Sequence, residues 1–281
     1  MAKRQSRERG QDEALVKRSS EALADWEQQE AAHAKAVRSN ATLGVARIST
    51  KGAEFKIDGK ALGKTLVVLP VAMAKEKNYF ERPYDPQRVA TPDCYSFTED
   101  SNKEEMMVAH AAAPDRQNLQ PDGTSPCRGC KWNAFHTAKV GKGKRCKDYM
   151  RWMVITPLRD KDTGEWFLDP TAVRAAEKRL LQIPPSSRRN HDHYVDGLKD
   201  PTRTRTGSPR EMIVQLDIYS LSQGGHGIQF TPLRGVDKPT HEAIIVVGNA
   251  ALETLTQPYP VIDDDTPEQK PRSAKANKKL D

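Results

Sequence analysis

The sequence predicts a mainly β, α+β fold: a barrel of the oligonucleotide-binding type with an inserted zinc-ribbon-like module and peripheral helices. Three observations carry that expectation. Short apolar or alternating runs bounded by turn residues recur between Leu43 and Phe230. The four cysteines of the 281-residue chain, Cys94, Cys127, Cys130 and Cys146, fall together between two of those runs. Helical patterns are few and lie in the second half. An SH3-like barrel and a plain α+β sheet fit the same pattern, and both stay open.

Residues 1–38 carry eight Lys/Arg and seven Asp/Glu, with a thin apolar stripe at Leu15, Ala22, Leu23 and Trp26, and read as a charged arm, mobile or helical. The core follows over 39–262. Leu43–Ser49, then Phe55 and Ile57 before Asp58-Gly59, predict a hairpin. The continuous apolar run Thr65–Val71 predicts a buried strand. Trp152–Thr156 and Glu165–Leu168 flank the turn Asp160–Gly164. Met212–Leu221 alternates, with Val214, Leu216 and Ile218 on one side, and the turn Ser222–Gly227 leads to Ile228 and Phe230. Asp169-Pro170 caps and starts a helix with Val173, Ala176, Leu180 and Leu181 on one face. A second helix runs from Ser187 with His191, Tyr194, Val195 and Leu198. A third spans about 241–256, although its Ile-Ile-Val-Val run also suits a strand. The segment 263–281, with Asp263–Asp265 and Pro267 and Pro271, reads as a disordered tail.

Charge and cysteines narrow the chemistry. No apolar run approaches the roughly 20 residues of a membrane span, and Met1–Gly10 lacks the apolar stretch of a secretory signal. Few cysteines in a long chain, two of them as Cys127-x-x-Cys130, point to a reducing compartment and to metal ligation in place of disulfides. Four cysteinates complete a tetrahedral Zn2+ and leave no position for a catalytic water, so the expected metal is structural. His110 and His136 are alternative ligands to Cys94, whose separation from the knuckle is long. The inserted module is expected over about 90–150. From Cys127 to Arg151 the net charge is +7, equal to that of the whole chain. A metal-pinned basic segment bearing aromatic rings reads as a nucleic-acid surface.

The candidate contacts are Lys131, Lys142, Lys144, Arg145 and Lys147 for phosphates, with Trp132, Phe135 and Tyr149 for bases. Among these, Trp132 and Phe135 are expected to be exposed for stacking, and Trp152 to be core. Tyr79, Phe80 and Tyr84, near Arg82, form a second aromatic group that either caps the barrel or lines the same groove. Arg203 and Arg205 sit on a loop, Pro201–Pro209, close in sequence to Arg188 and Arg189. Gly141–Arg145 lacks the spacing of a phosphate-binding nucleotide loop. His191 and His193 are two apart on a helix, do not share a face and read as surface.

Several pieces in order resemble a family of phage-encoded single-stranded DNA-binding proteins that carry a cysteine knuckle. They are Phe55–Gly59, Leu62-Gly63, Asn78–Phe80 with Tyr84–Pro86, Pro92–Cys94, Cys127-x-x-Cys130 with Asn133, Gly143-Lys-x-Cys146, and Pro184–Ser187 followed by Tyr194. The resemblance covers somewhat over half the chain and implies an oligonucleotide-binding-type barrel, a structural zinc, and a role in phage DNA replication or recombination in the cytoplasm of an infected bacterium. It also implies phage or host replication proteins as partners. One departure stands out: replication single-strand binders often end in an acidic tip, whereas this sequence ends in Lys278-Lys-Leu-Asp281, with Asp263–Asp265 as the substitute.

Two function classes follow, with a third set aside. The first is a sequence-tolerant single-stranded DNA binder. The second is a zinc-containing phage factor that docks on a host protein such as RNA polymerase. An enzyme is not expected, because the chain lacks a carboxylate cluster at metal-binding spacing and a Cys/His or Ser/His pairing.

Overall fold

The computed structural model describes residues 46–50, 53–57, 60–81, 91–99, 101–138, 142–199, 207–222 and 225–259. The charged arm 1–38, the tail 263–281, Arg82, Tyr84, Arg203 and Arg205 lie outside the described residues. The strands are β1 (Ala46–Ser49), β2 (Phe55–Ile57), β3 (Lys60–Gly63), β4 (Thr65–Tyr79), β5 (Cys94–Thr98), β6 (Lys147–Ile155), β7 (Leu158–Arg159), β8 (Trp166–Phe167), β9 (Arg179–Ile183), β10 (Met212–Ser220) and β11 (His226–Gly235). The helices are α1 (Pro170–Ala175), α2 (Arg188–Leu198) and α3 (Lys238–Leu255). Among the described residues, nine strands form one sheet ordered β11-β10-β4-β6-β9-β1-β2-β3, with β5 also on β4, while β7 and β8 pair separately. All pairings are antiparallel except β1 with β9, so the mainly β, α+β class holds.

The long central strand explains the architecture. β4 pairs with β10 through Thr65–Val68, with β6 through Leu69–Asn78, and with β5 through Lys75–Tyr79. Its register shifts between Pro70 and Ala72, and a bulge is where a central strand tolerates a residue with no N–H. The apolar run around it does not alternate because both faces are buried. Val67, Leu69 and Val71 face a core with Met153, Ile155 and Ile213, covered by α1 and α3. Val68 faces a second core with Trp152, Val154, Leu216 and Phe230, closed by Tyr194 and Leu198 of α2.

Two sequence expectations change, and one alternative is resolved. The predicted helix through Leu181 stops at Ala175, and Leu180 and Leu181 lie on β9, one in each core. Neighbours that face opposite sides make a strand, whatever helical spacing connects them to Val173. The start of that helix is as expected: Pro170 opens it and the Asp169 carboxylate accepts the N–H groups of Thr171 and Ala172, both at 2.8 Å. Second, His191 is buried at 5 % exposure, against Trp152 and Phe230, and only its neighbour His193 is exposed. Burial lowers its pKa. The helix expected over about 241–256 is present as α3, and its Ile244–Val247 run is helical, with Ile244 and Val247 inward and Ile245 and Val246 outward. No helix among the described residues is long and apolar enough to cross a membrane.

Candidate functional site

The cysteine segment leaves the sheet at β5 and returns at β6, and it has little apolar core of its own. Backbone hydrogen bonds shape it instead. Asp93 N–H donates to Tyr79 O at 2.9 Å and Asp115 N–H to Asp93 O at 2.7 Å. The Cys127 N–H reaches Met107 O at 2.8 Å, and Cys146 N–H reaches Trp132 O at 2.9 Å. The knuckle turns at Gly129, whose φ of +75° is a conformation side chains disfavour, and Cys130 N–H closes it on Cys127 O at 3.3 Å. Asn133 secures the turn by donating its Nδ2 to Cys127 O at 3.1 Å.

These bonds bring Cys94, Cys127, Cys130 and Cys146 to the wall of one cavity of about 20 Å3, under the Trp132 ring. That is room for a single ion or water. Among the described residues, however, no three His, Cys, Asp or Glu side chains are drawn together closely enough to hold a metal. The donor set nonetheless suits a soft divalent ion, since four thiols and no carboxylate, ammonium or imidazole line the cavity. Burial pushes the Cys94 thiol up to about 11 and the Cys146 thiol up to about 12, with the other cysteines adding to each rise. Burial also raises Cys127, against the pull of the Ser96 hydroxyl 3.2 Å from its sulfur. His110, the alternative ligand, instead stacks on Tyr95 at 5.4 Å, and His136 is exposed; neither lines the cavity.

The basic and aromatic candidates divide by environment. Trp132 stacks on Tyr79 at 5.4 Å, lies beneath the Arg145 guanidinium at 4.7 Å, and donates its indole N–H to Gln117 Oε1 at 2.8 Å. It is half-buried and roofs the cysteine cavity, so the expectation of an exposed stacking ring does not hold for it. Arg145 is likewise engaged, by Glu81 at 3.0 Å. Arg151, counted in the basic run, is buried and pairs with Glu76 at 2.8 Å. Phe135 is 68 % exposed, with the Lys144 ammonium 5.3 Å from its ring centre. Lys131, its ammonium 4.6 Å from the Trp132 ring centre, and Lys142 are exposed, whereas Lys147 and Tyr149 are half-buried on β6. Tyr79 is buried at the end of β4, and Phe80 is half-buried.

An ionic cluster that sequence reasoning missed lies beside the knuckle. Glu104, on the 3-10 turn Ser101–Met106, pairs with Lys75, with Lys77 at 3.2 Å and with Arg188 at 3.1 Å. Lys77 also binds Asp148 at 2.6 Å, which Lys144 meets at 3.1 Å. Burial opposes the charge on Glu104, but the three cations win and hold its carboxyl at about 2. The available signal was the alternation Lys75-Glu76-Lys77 directly after an apolar run. It continues β4 and sends both lysines to one face and Glu76 to the other.

No family model, curated protein or solved structure matches this chain.

Proposed function

We propose that this chain is a sequence-tolerant single-stranded DNA-binding protein of phage DNA replication or recombination, acting in the cytoplasm of an infected bacterium. The observation that carries the reading is that all four cysteines line one small cavity, while Phe135, five residues past the Cys127-x-x-Cys130 knuckle, is exposed with the Lys144 ammonium 5.3 Å from its ring centre. In this reading Cys94, Cys127, Cys130 and Cys146 hold a structural Zn2+, which fixes a segment that burial alone does not. The mainly antiparallel sheet is taken as a barrel of the oligonucleotide-binding type with the cysteine module inserted in it. Lysines follow the phosphates and Phe135 stacks a base, a mode that works for any sequence. Phage or host replication proteins are the further partners.

The test is a titration of single- against double-stranded oligonucleotides at several salt concentrations, with metal analysis of the same preparation. The reading expects about one zinc per chain, tighter binding to the single strand, and an affinity that falls steeply with salt as counterions are released. Absence of zinc removes the metal from the reading. A salt-insensitive chain with no preference for single strands removes the DNA, and favours docking on a host protein.

A further inference from the structure

The turn Ser101–Met106 lies between two open clefts. One, of about 610 Å3, is lined by Lys77, Glu104, Glu105, Arg128 and Lys144. The other, of about 640 Å3, is lined by Phe97, Lys103, Val108 and His110. The turn is therefore a strap with a basic cleft on one side and an aromatic one on the other. Its acids lie against cations from elsewhere in the fold: Glu104 against Lys75 and Lys77 of β4 and Arg188 of α2, and Glu105 against Arg128 of the knuckle at 3.8 Å.

We propose that the strap is an acidic plug over a backbone-phosphate site, with the Glu104 carboxylate standing where a phosphate of single-stranded DNA would meet Lys75, Lys77 and Arg188. This deepens the nucleic-acid reading above and rests on it. A backbone phosphodiester carries one negative charge over two non-bridging oxygens, as a carboxylate does, so the three cationic side chains from two elements that converge on Glu104 present donors such a phosphate would also meet. While the strap is down, Glu104 pairs with all three cations, Lys77 is also held by Asp148 at 2.6 Å and Arg188 by Asp192 at 3.2 Å, and the three side chains are 16 %, 6 % and 24 % exposed. When the strap lifts, the three cations face the basic cleft and the two clefts join. A strand then runs past Phe97 and His110 on one side and Arg128 and Lys144 on the other. No covalent step is involved; one anion replaces another.

The test compares wild type, Glu104→Gln, and Glu253→Gln, which makes the same charge change on the exposed face of α3. Each is titrated with fluorescent oligo-dT over a salt series, and separately with pyrophosphate by thermal shift. Glu104→Gln should bind oligo-dT about three-fold or more tighter at low salt, with a salt slope steeper by about 0.7, the increment for one additional phosphate neutralised on a single strand. It alone should be stabilised by pyrophosphate, and adding Lys75→Gln should cancel both effects. Hydrogen exchange on wild type covers the case of a variant that folds badly: amides of 101–106 should lose protection when oligo-dT binds. Equal behaviour of Glu104→Gln and Glu253→Gln with both probes, or strap amides that become more protected, overturns the plug. If pyrophosphate stabilises only Glu104→Gln while no form binds oligo-dT, the plug stands and the DNA reading falls. If wild type binds oligo-dT and Glu104→Gln shows neither effect, the DNA reading stands and the plug falls.

Discussion

Single side chains separate the aromatic candidates by what already touches them. Trp132 is held by Tyr79, Arg145 and Gln117 and roofs the cysteine cavity, whereas Phe135 is free of ring partners among the described residues. On the proposed single-strand-binding reading, Phe135→Ala should therefore weaken binding by about 1–3 kcal/mol with an unchanged salt slope, because stacking releases no counterions. Trp132→Ala should instead lower the melting temperature and, on the proposed reading, zinc retention. Fluorescence anisotropy and metal analysis of the two variants check the pair, and equal losses of affinity with full zinc in both would contradict the division. Glu104 makes a second prediction. Its folded pKa is depressed, from 4.5 to about 2, so its ion pairs contribute stability that is complete above the ordinary value. That contribution disappears as the pH falls through the window from about 5 to 2. The melting-temperature gap between wild type and Glu104→Gln should shrink over that window and be widest near neutral pH.

Elements are fixed by where they touch, and α3 shows this most sharply. A Cβ at Gly248 would stand 2.1 Å from the Val71 carbonyl oxygen of β4, so the helix lies against the strand backbone itself. Gly→Ala inside a helix ordinarily stabilises by about 0.5–1 kcal/mol. Here it should destabilise by roughly 1–3 kcal/mol, through overpacking against backbone that cannot move aside. Urea unfolding of Gly248→Ala gives the sign directly. At the C-terminal end of the same helix, Arg151 of β6 donates to Leu255 O at 2.8 Å and to Glu76 of β4 at 2.8 Å, while Gln182 of β9 donates to the other Glu76 oxygen at 2.6 Å. This buried network ties α3 to three strands. Arg151→Met leaves the Glu76 charge without its cation and should cost about 3–5 kcal/mol in the same unfolding experiment.

At the scale of the whole molecule the sheet and the cysteine segment are stabilised differently. The sheet has an apolar core on each face, whereas the segment between β5 and β6 relies on turns, short hydrogen bonds and the cysteine cavity. Loss of one thiol should thus be a local event. On the proposed reading, in which these thiols hold zinc, Cys146→Ser should lose the metal and raise hydrogen exchange across about 90–150, while the far-ultraviolet circular dichroism of the sheet persists. A variant with wild-type exchange in that segment would show that backbone hydrogen bonds suffice there.

The sequence by itself determined the class of fold, the β10–β11 hairpin and the cap at Asp169. These are local matters of side-chain period, capping chemistry and spacing, legible wherever one residue's neighbours in sequence are also its neighbours in space. Tertiary structure alone decided that Leu180 and Leu181 are strand, that Arg151 is buried, and that Trp132 roofs the cavity. It also decided that Lys75, Lys77 and Arg188 meet Glu104, from positions far apart in the chain. A charge looks the same in sequence whether it faces water or a buried partner. Only the register of β4 against β6 and the packing of α2 bring the partner to it.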